Sequence, residues 1–197
     1  DYLPRERRFY DITVHHLLTM SSGVRFSEAG VVSDDEWCRT FFDSGVSFAP
    51  GTKFEYNSMN TYVLARIVKK LCGKGITELL RERIFEPLGI REFFWESSHE
   101  GCEKGGFGAF MSLEDWVKIA ILVKGGGVYN GRRIISREWI EKCTKKQMDT
   151  PDSEGRYSYG YQIWVSDDGN LLFSGMLGQS VIISPKEDII IAVNSGN

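Results

Sequence analysis

The 197-residue chain is 42% hydrophobic and 26% charged, the balance of an ordinary globular protein long enough for one domain with a real core. Twenty-four basic residues against twenty-seven acidic ones leave a net charge of −3, and no basic block exceeds the small groups Arg5-Arg7-Arg8 and Lys142-Lys145-Lys146, so nucleic acid is not an expected partner. No apolar run approaches the ~18 residues of a membrane span, no signal-peptide pattern is present, and no repeat, linker or low-complexity segment divides the chain.

In chain order, His15 and His16 open a short helix that continues through Leu17-Leu18, and both read as structural. Ser33-x-x-Glu36 has the form of a capping box ahead of a helix whose Trp37 and Phe41 share a face. Pro50-Gly51 forces a turn, Lys53 to Tyr56 alternates as a short extended piece, and Asn57-Ser58 leads into a helix with apolar residues Tyr62, Val63, Leu64, Ile67, Val68 and Leu71. Tyr56 therefore either faces a cleft or caps the edge of a core. A helix over Thr77 to Phe85 is stopped by Pro87. Another starts at Ser112-x-x-Asp115, carries Trp116, Ile119, Ala120 and Val123, and ends at Gly125-Gly126-Gly127. Ser136 caps a further helix with Trp139, Ile140 and Cys143.

From Tyr157 the period changes from 3.6 to 2. A strand is expected over Tyr157 to Val165, then a turn at Asp167-Asp168-Gly169-Asn170 and a returning strand from Leu171-Leu172-Phe173. A hairpin of Ser180 to Ile183 and Asp188 to Val193 closes around Ser184-Pro185-Lys186-Glu187, making a three- or four-stranded antiparallel meander. Helices first and strands last define an α+β class, one domain over 1–197, mainly helical over 1–155 and stranded over 156–197. Cys38, Cys72, Cys102 and Cys143 form no Cys-x-x-Cys pair, so no metal is expected; Cys72 and Cys143 read as small core hydrophobes. Unpaired thiols favour a cytoplasmic compartment.

Several segments in order carry a resemblance: Ile12 to Gly23, Pro50 to Ser58, Phe85-Glu86-Pro87-Leu88-Gly89-Ile90, Gly105-Gly106-Phe107-Gly108 with Met111 to Asp115, Gly125 to Gly131, and Tyr159-Gly160-Tyr161. Together they resemble the serine β-lactamase-like superfamily, in its branch of class C β-lactamases, penicillin-binding proteins and esterases. The resemblance implies a β-lactamase/transpeptidase-like fold. It also implies a catalytic plan with a Ser-x-x-Lys on a helix, a Tyr-x-Asn or Tyr-x-Ser on a loop, and a His-x-Gly or Lys-Thr-Gly on a strand. Tyr56-Asn57-Ser58 matches the second element, and Met176-Leu177-Gly178-Gln179 stands at the third with Met176 in place of the cation. The first is absent, since no serine or threonine of the chain has lysine three residues on. Asp1-Tyr2-Leu3-Pro4 resembles a stretch lying some tens of residues after the nucleophile, so the chain is expected to be an incomplete domain lacking the N-terminal strands and the nucleophile helix, which leaves secretion open.

By this resemblance Tyr56 is the general base, Ser58 hydrogen-bonds a substrate amide or the lysine network, Gly178 lets substrate approach the backbone, and the Gln179 amide is one oxyanion donor. Asn57 reaches the site only by turning inward, because adjacent extended residues face opposite ways. Met176 is either an apolar substrate contact, which favours esters or amides over β-lactams, or a core methionine. The implied substrate is a small ester, amide or β-lactam-like molecule cleaved through an acyl-enzyme without a cofactor, the isolated chain being silent. The alternative is a non-catalytic binding or scaffolding domain. The segment absent from this chain is expected to bind in trans, or a homo-oligomer to form through Tyr157 to Val193. His99 receives no role, and without a Gly-x-Ser-x-Gly elbow no Ser-His-Asp triad is expected.

Overall fold

A computed structural model describes residues 2–25, 35–151 and 156–196. The helices are α1 (Val14–Leu18), α2 (Trp37–Asp43), α3 (Ser58–Cys72), α4 (Ile76–Leu80), α5 (Leu113–Lys124) and α6 (Arg137–Thr144). The strands are β1 (Phe93–Trp95), β2 (Ala109–Met111), β3 (Val128–Tyr129), β4 (Arg132–Arg133), β5 (Met148–Asp149), β6 (Tyr157–Tyr159), β7 (Trp164–Ser166), β8 (Leu171–Gly175), β9 (Gln179–Ser184) and β10 (Ile189–Asn194). They gather into two compact units, one of Asp1–Leu79 with Phe94–Ala109, the other of Leu80–Phe93 with Phe110–Asn197.

The first unit is built around Phe9, Leu17, Val24, Trp37, Phe41, Met59, Tyr62 and Cys102. Phe9 meets Phe41 edge-on at 5.9 Å and Trp37 meets Tyr62 edge-on at 5.1 Å, so aromatic pairs tie this core together. α3 buries Met59, Asn60, Tyr62 and Ala65, whereas Leu71 of the expected apolar face is exposed. Nine residues separate Tyr62 from Leu71, which is half a revolution beyond two turns at 100° per residue, so the apolar run never formed one stripe. Cys72 is exposed on the same last turn, and its reading as a core residue is corrected; Cys38, Cys102 and Cys143 are buried free thiols. Burial pushes Cys38 and Cys143 each up to about 11, so neither is a thiolate near neutral pH. Ser33 of the expected capping box lies outside the described residues; Trp37 and Phe41 do share the core.

In the second unit Ser112 Oγ accepts from Asp115 N at 3.1 Å and Ser136 Oγ from Trp139 N at 3.2 Å, capping α5 and α6 as their sequences require. The expected helix through Phe85 widens into a π turn over Arg81–Phe85, continues through Glu86–Leu88 and stops at Gly89 (φ 69°), not at Pro87. The i→i−5 bond from Glu86 N to Arg81 O lets the chain take up a proline without ending there.

The sheet has six antiparallel strands in the order β10-β9-β8-β7-β6-β5, more than the three or four expected. Tyr157 to Val165 is not one strand: it folds back after Tyr159, which pairs with Trp164, and Gly160 N donates to Ile163 O at 2.8 Å. A Cβ at Gly160 would lie 2.1 Å from Cys143 O, and Gln162 holds a left-handed φ of 59°, so the turn lacks the Asn-Gly or Asp-Gly signature of a two-residue hairpin. α5 packs across β9 and β10 and covers one face, where Val181 and Ile183 are buried. The opposite face shows Ile182, Ile189, Ile191 and Val193 exposed, and β10 is an edge strand.

Candidate active site

In the first unit the Tyr56 segment rests on a run in which Thr19, Met20, Ser21, Ser22 and Val24 are all essentially inaccessible. Their backbones hold the overlying chain: Gly51 N donates to Ser21 O and Glu55 N to Met20 O, each at 2.8 Å. Gly23 has φ 73°, and a Cβ there would come 2.6 Å from Phe48 O, so close approach of these two strands of chain demands glycine.

Asn57 turns inward. Its Oδ1 accepts from Met59 N at 2.9 Å as the N-cap of α3, and its Nδ2 donates to Val24 O at 3.0 Å. One turn on, buried Asn60 accepts from Ser22 Oγ at 2.8 Å and directs its Nδ2 to Met20 Sδ at 3.5 Å. Extended backbone at Asn57 (φ −150°, ψ 105°) leaves its neighbour on the other side, and Tyr56 is 45% exposed. The two asparagines thus use their amides on the scaffold, and the phenol is presented to solvent.

Ser58 opens α3 and is half-buried against the loop of Lys104 to Gly108. Cβ atoms at Gly105 and Gly106 would lie 2.8 Å from Thr61 O and 2.9 Å from Ser58 O, which explains the paired glycines physically. Just before that loop Glu100 is tied to the core, its carboxylate accepting from Tyr62 Oη at 2.7 Å and Cys38 N at 3.1 Å. Burial first, and the Glu100 carboxylate with it, raise the Tyr62 phenol well above the tyrosine range, so Tyr62 is a fixed neutral donor. Asn60, Met20 and the Tyr62–Glu100 pair were not singled out from the sequence; two asparagines three apart at the start of an amphipathic helix, the second in line with its apolar face, are the signal that could have found Asn60.

His16 has the structural place expected of it. His16 Nδ1 accepts from Thr13 N while Thr13 Oγ1 accepts from His16 N, both at 3.3 Å, a reciprocal cap on α1. His99 is exposed, with Nε2 3.5 Å from Asp35. Among the described residues no three His, Cys, Asp or Glu side chains gather to hold a metal.

In the second unit Gly175 ends β8 and Gln179 opens β9, and Met176–Gly178 between them is a hairpin connection, not part of a strand. Gly175 pairs with Gln179, and the chain turns through Met176–Gly178. The reason is steric: Leu177 (φ 59°) and Gly178 (φ 77°) are both left-handed, which no strand tolerates. Met176 is 74% exposed and Leu177 60%, so Met176 is not a core methionine. A Cβ at Gly178 would sit 2.9 Å from Ser195 Cβ, so glycine is required where the chain after β10 passes.

An exposed tyrosine on a braced loop before a helix, helices beside an antiparallel sheet, and a glycine-bounded turn between sheet strands define a protein of the β-lactamase and penicillin-binding-protein fold. The family model described as Beta-lactamase matches residues 1–195, and the chain belongs to that family. It is 26% identical over 149 residues, 71% of this chain and 38% of the relative, to the 6-aminohexanoate-dimer hydrolase of Paenarthrobacter ureafaciens. It is 30% identical over 99 residues, 41% of this chain and 25% of the relative, to esterase EstB of Burkholderia gladioli. A solved structure described as a 6-aminohexanoate-dimer hydrolase from Bacillus anthracis superposes with a TM-score of 0.84 at 21% identity, covering 98% of this chain and 57% of that one. The chain spans less than half the length of these two sequence relatives, both of them hydrolases. Among the described residues no helix is long and apolar enough to cross a membrane.

Proposed function

We propose that this chain is part of a serine hydrolase that cleaves a small ester, amide or β-lactam-like bond through an acyl-enzyme, with Tyr56 as its general base. An alcohol is a weak nucleophile at neutral pH and needs a base beside it. A phenol whose proton is shared with a lysine ammonium serves, because a neighbouring positive charge favours the phenolate. Tyr56 takes the nucleophile's proton and returns it to the leaving group. Ser58 hydrogen-bonds the substrate amide, the Gln179 N–H donates to the developing oxyanion, Gly178 leaves room for the substrate backbone, and Met176 makes apolar contact.

The observation that carries this reading is the division of labour at 56–60: buried Asn57 and Asn60 brace the loop, and Tyr56 alone of the three is exposed. A core-capping tyrosine needs no such bracing. The 197 residues contain no Ser-x-x-Lys, so the isolated chain is expected to turn over neither a chromogenic cephalosporin nor a 4-nitrophenyl ester. The protein made from the whole reading frame should hydrolyse one of them, and Tyr56→Phe should lower its kcat by about 10²–10⁴. Turnover by the isolated chain, or full activity in Tyr56→Phe, defeats the assignment.

A further inference from the structure

The hairpin tip at Met176-Leu177 carries a statement about substrate that rests on the hydrolase reading. From Asn170 through Pro185 the chain has no charged residue, so both strands and the tip are neutral. At the tip two neighbouring apolar side chains stand out, Met176 74% and Leu177 60% exposed, while β9 beside them buries Val181 and Ile183. Leu177 holds φ 59°, a region that glycine or asparagine enters with less strain. Its side chain is not repaid by burial in the fold. The tip is fixed in shape by the Gly175–Gln179 pair and by Gly178, whose missing Cβ makes room for Ser195.

We propose that Met176 and Leu177 form an apolar lip that selects neutral substrates with an aliphatic acyl or leaving group and rejects those carrying a carboxylate. Leu177 is a specificity-determining residue beside the Met176 position. A carboxylate brought to this hairpin loses water and meets no cation on it, whereas each methylene laid on the two side chains leaves water favourably.

Two measurements test it. In the 197-residue chain labelled with [methyl-13C]methionine, the Met176 signal, assigned by Met176→Leu, is followed during titration with methyl hexanoate and with monomethyl adipate, which differ in a terminal carboxylate. Saturable shifts with the first and about ten-fold weaker binding of the second are expected, and Leu177→Lys should reverse the order. In the protein from the whole reading frame, kcat/KM for 4-nitrophenyl esters from acetate to hexanoate should climb about two- to four-fold per methylene, with a flatter slope in Leu177→Ser. Failure of every ester and of the chromogenic cephalosporin to turn over sinks the hydrolase reading while the titration still decides the lip. Turnover with no chain-length slope and no Met176 shift overturns the lip and leaves the hydrolase standing. A Met176 shift that follows protein concentration instead of ester assigns the tip to a second copy of the chain and also overturns the proposal.

Discussion

The loop at Tyr56 and the turn at Leu177 are held in different ways. Around Tyr56 the chain is fixed by buried side-chain amides and hydroxyls, Asn57 to Val24 O and Asn60 to Ser22. At Leu177 the shape is set by left-handed backbone at two consecutive residues, helped by a glycine against Ser195. A buried amide that loses its partner leaves a desolvated group behind, whereas a strained turn loses only its local fit. The first region should therefore be brittle and the second tunable.

The largest effect should come from Asn60→Ala, which takes away the acceptor of the buried Ser22 hydroxyl, leaving it only the bond it accepts from Val24 N, and opens a small void; a loss of about 2–3 kcal/mol is expected in urea unfolding. A change below about 0.5 kcal/mol would erase the distinction. Next come two neighbours with opposite signs. Gly178→Ala, at φ 77° and facing Ser195, should cost about 1–2 kcal/mol, while Leu177→Gly should gain about 0.5–1 kcal/mol by relieving a left-handed leucine. Equal signs for the pair would mean that side-chain contacts, not backbone conformation, set the tip.

The smallest effect belongs to His16, whose Nε2 would lie 2.9 Å from a Cβ at Gly51 and whose Nδ1 already accepts a bond from Thr13 N. Burial, then the neighbouring His15, lower its pKa from the usual 6.5. The unfolded chain takes the proton first, so the contribution of His16 is whole above about pH 6.5 and falls away as pH drops below that value. Urea midpoints between pH 8 and pH 5 should show the decline, and His16→Gln should reduce it; an unchanged decline would remove His16 from the bracing of the Pro50-Gly51 turn.

What could be read in advance follows the same contrast. Serine caps at Ser112 and Ser136 and the glycine stop after Lys124 act within one turn of chain, and all three stand. The turn expected over Ser184 to Glu187 is also there, one residue later: Ser184 ends β9 paired with Ile189, and Pro185 to Asp188 make the connection. The break in Tyr157 to Val165 was hidden because the partner that meets the turn, Cys143 O accepting from Tyr161 N at 2.9 Å and leaving no room for a Cβ at Gly160, lies seventeen positions from that glycine in sequence. Leu177 was hidden because nothing in a leucine announces a positive φ. Tyr56 stood out because Pro-Gly and Asn-Ser bracket it, yet its support by Thr19 to Val24 is a long-range matter that no local spacing encodes.

β10 finishes the sheet as a rim with Ile189, Ile191 and Val193 outward and neither lysine nor proline between them. Those two residues are the usual guards against one molecule templating the next. A purified sample of this polypeptide is therefore expected to behave as a sticky colloid, its scattering rising faster than its concentration, and a single lysine at 191 is the simplest guard to add.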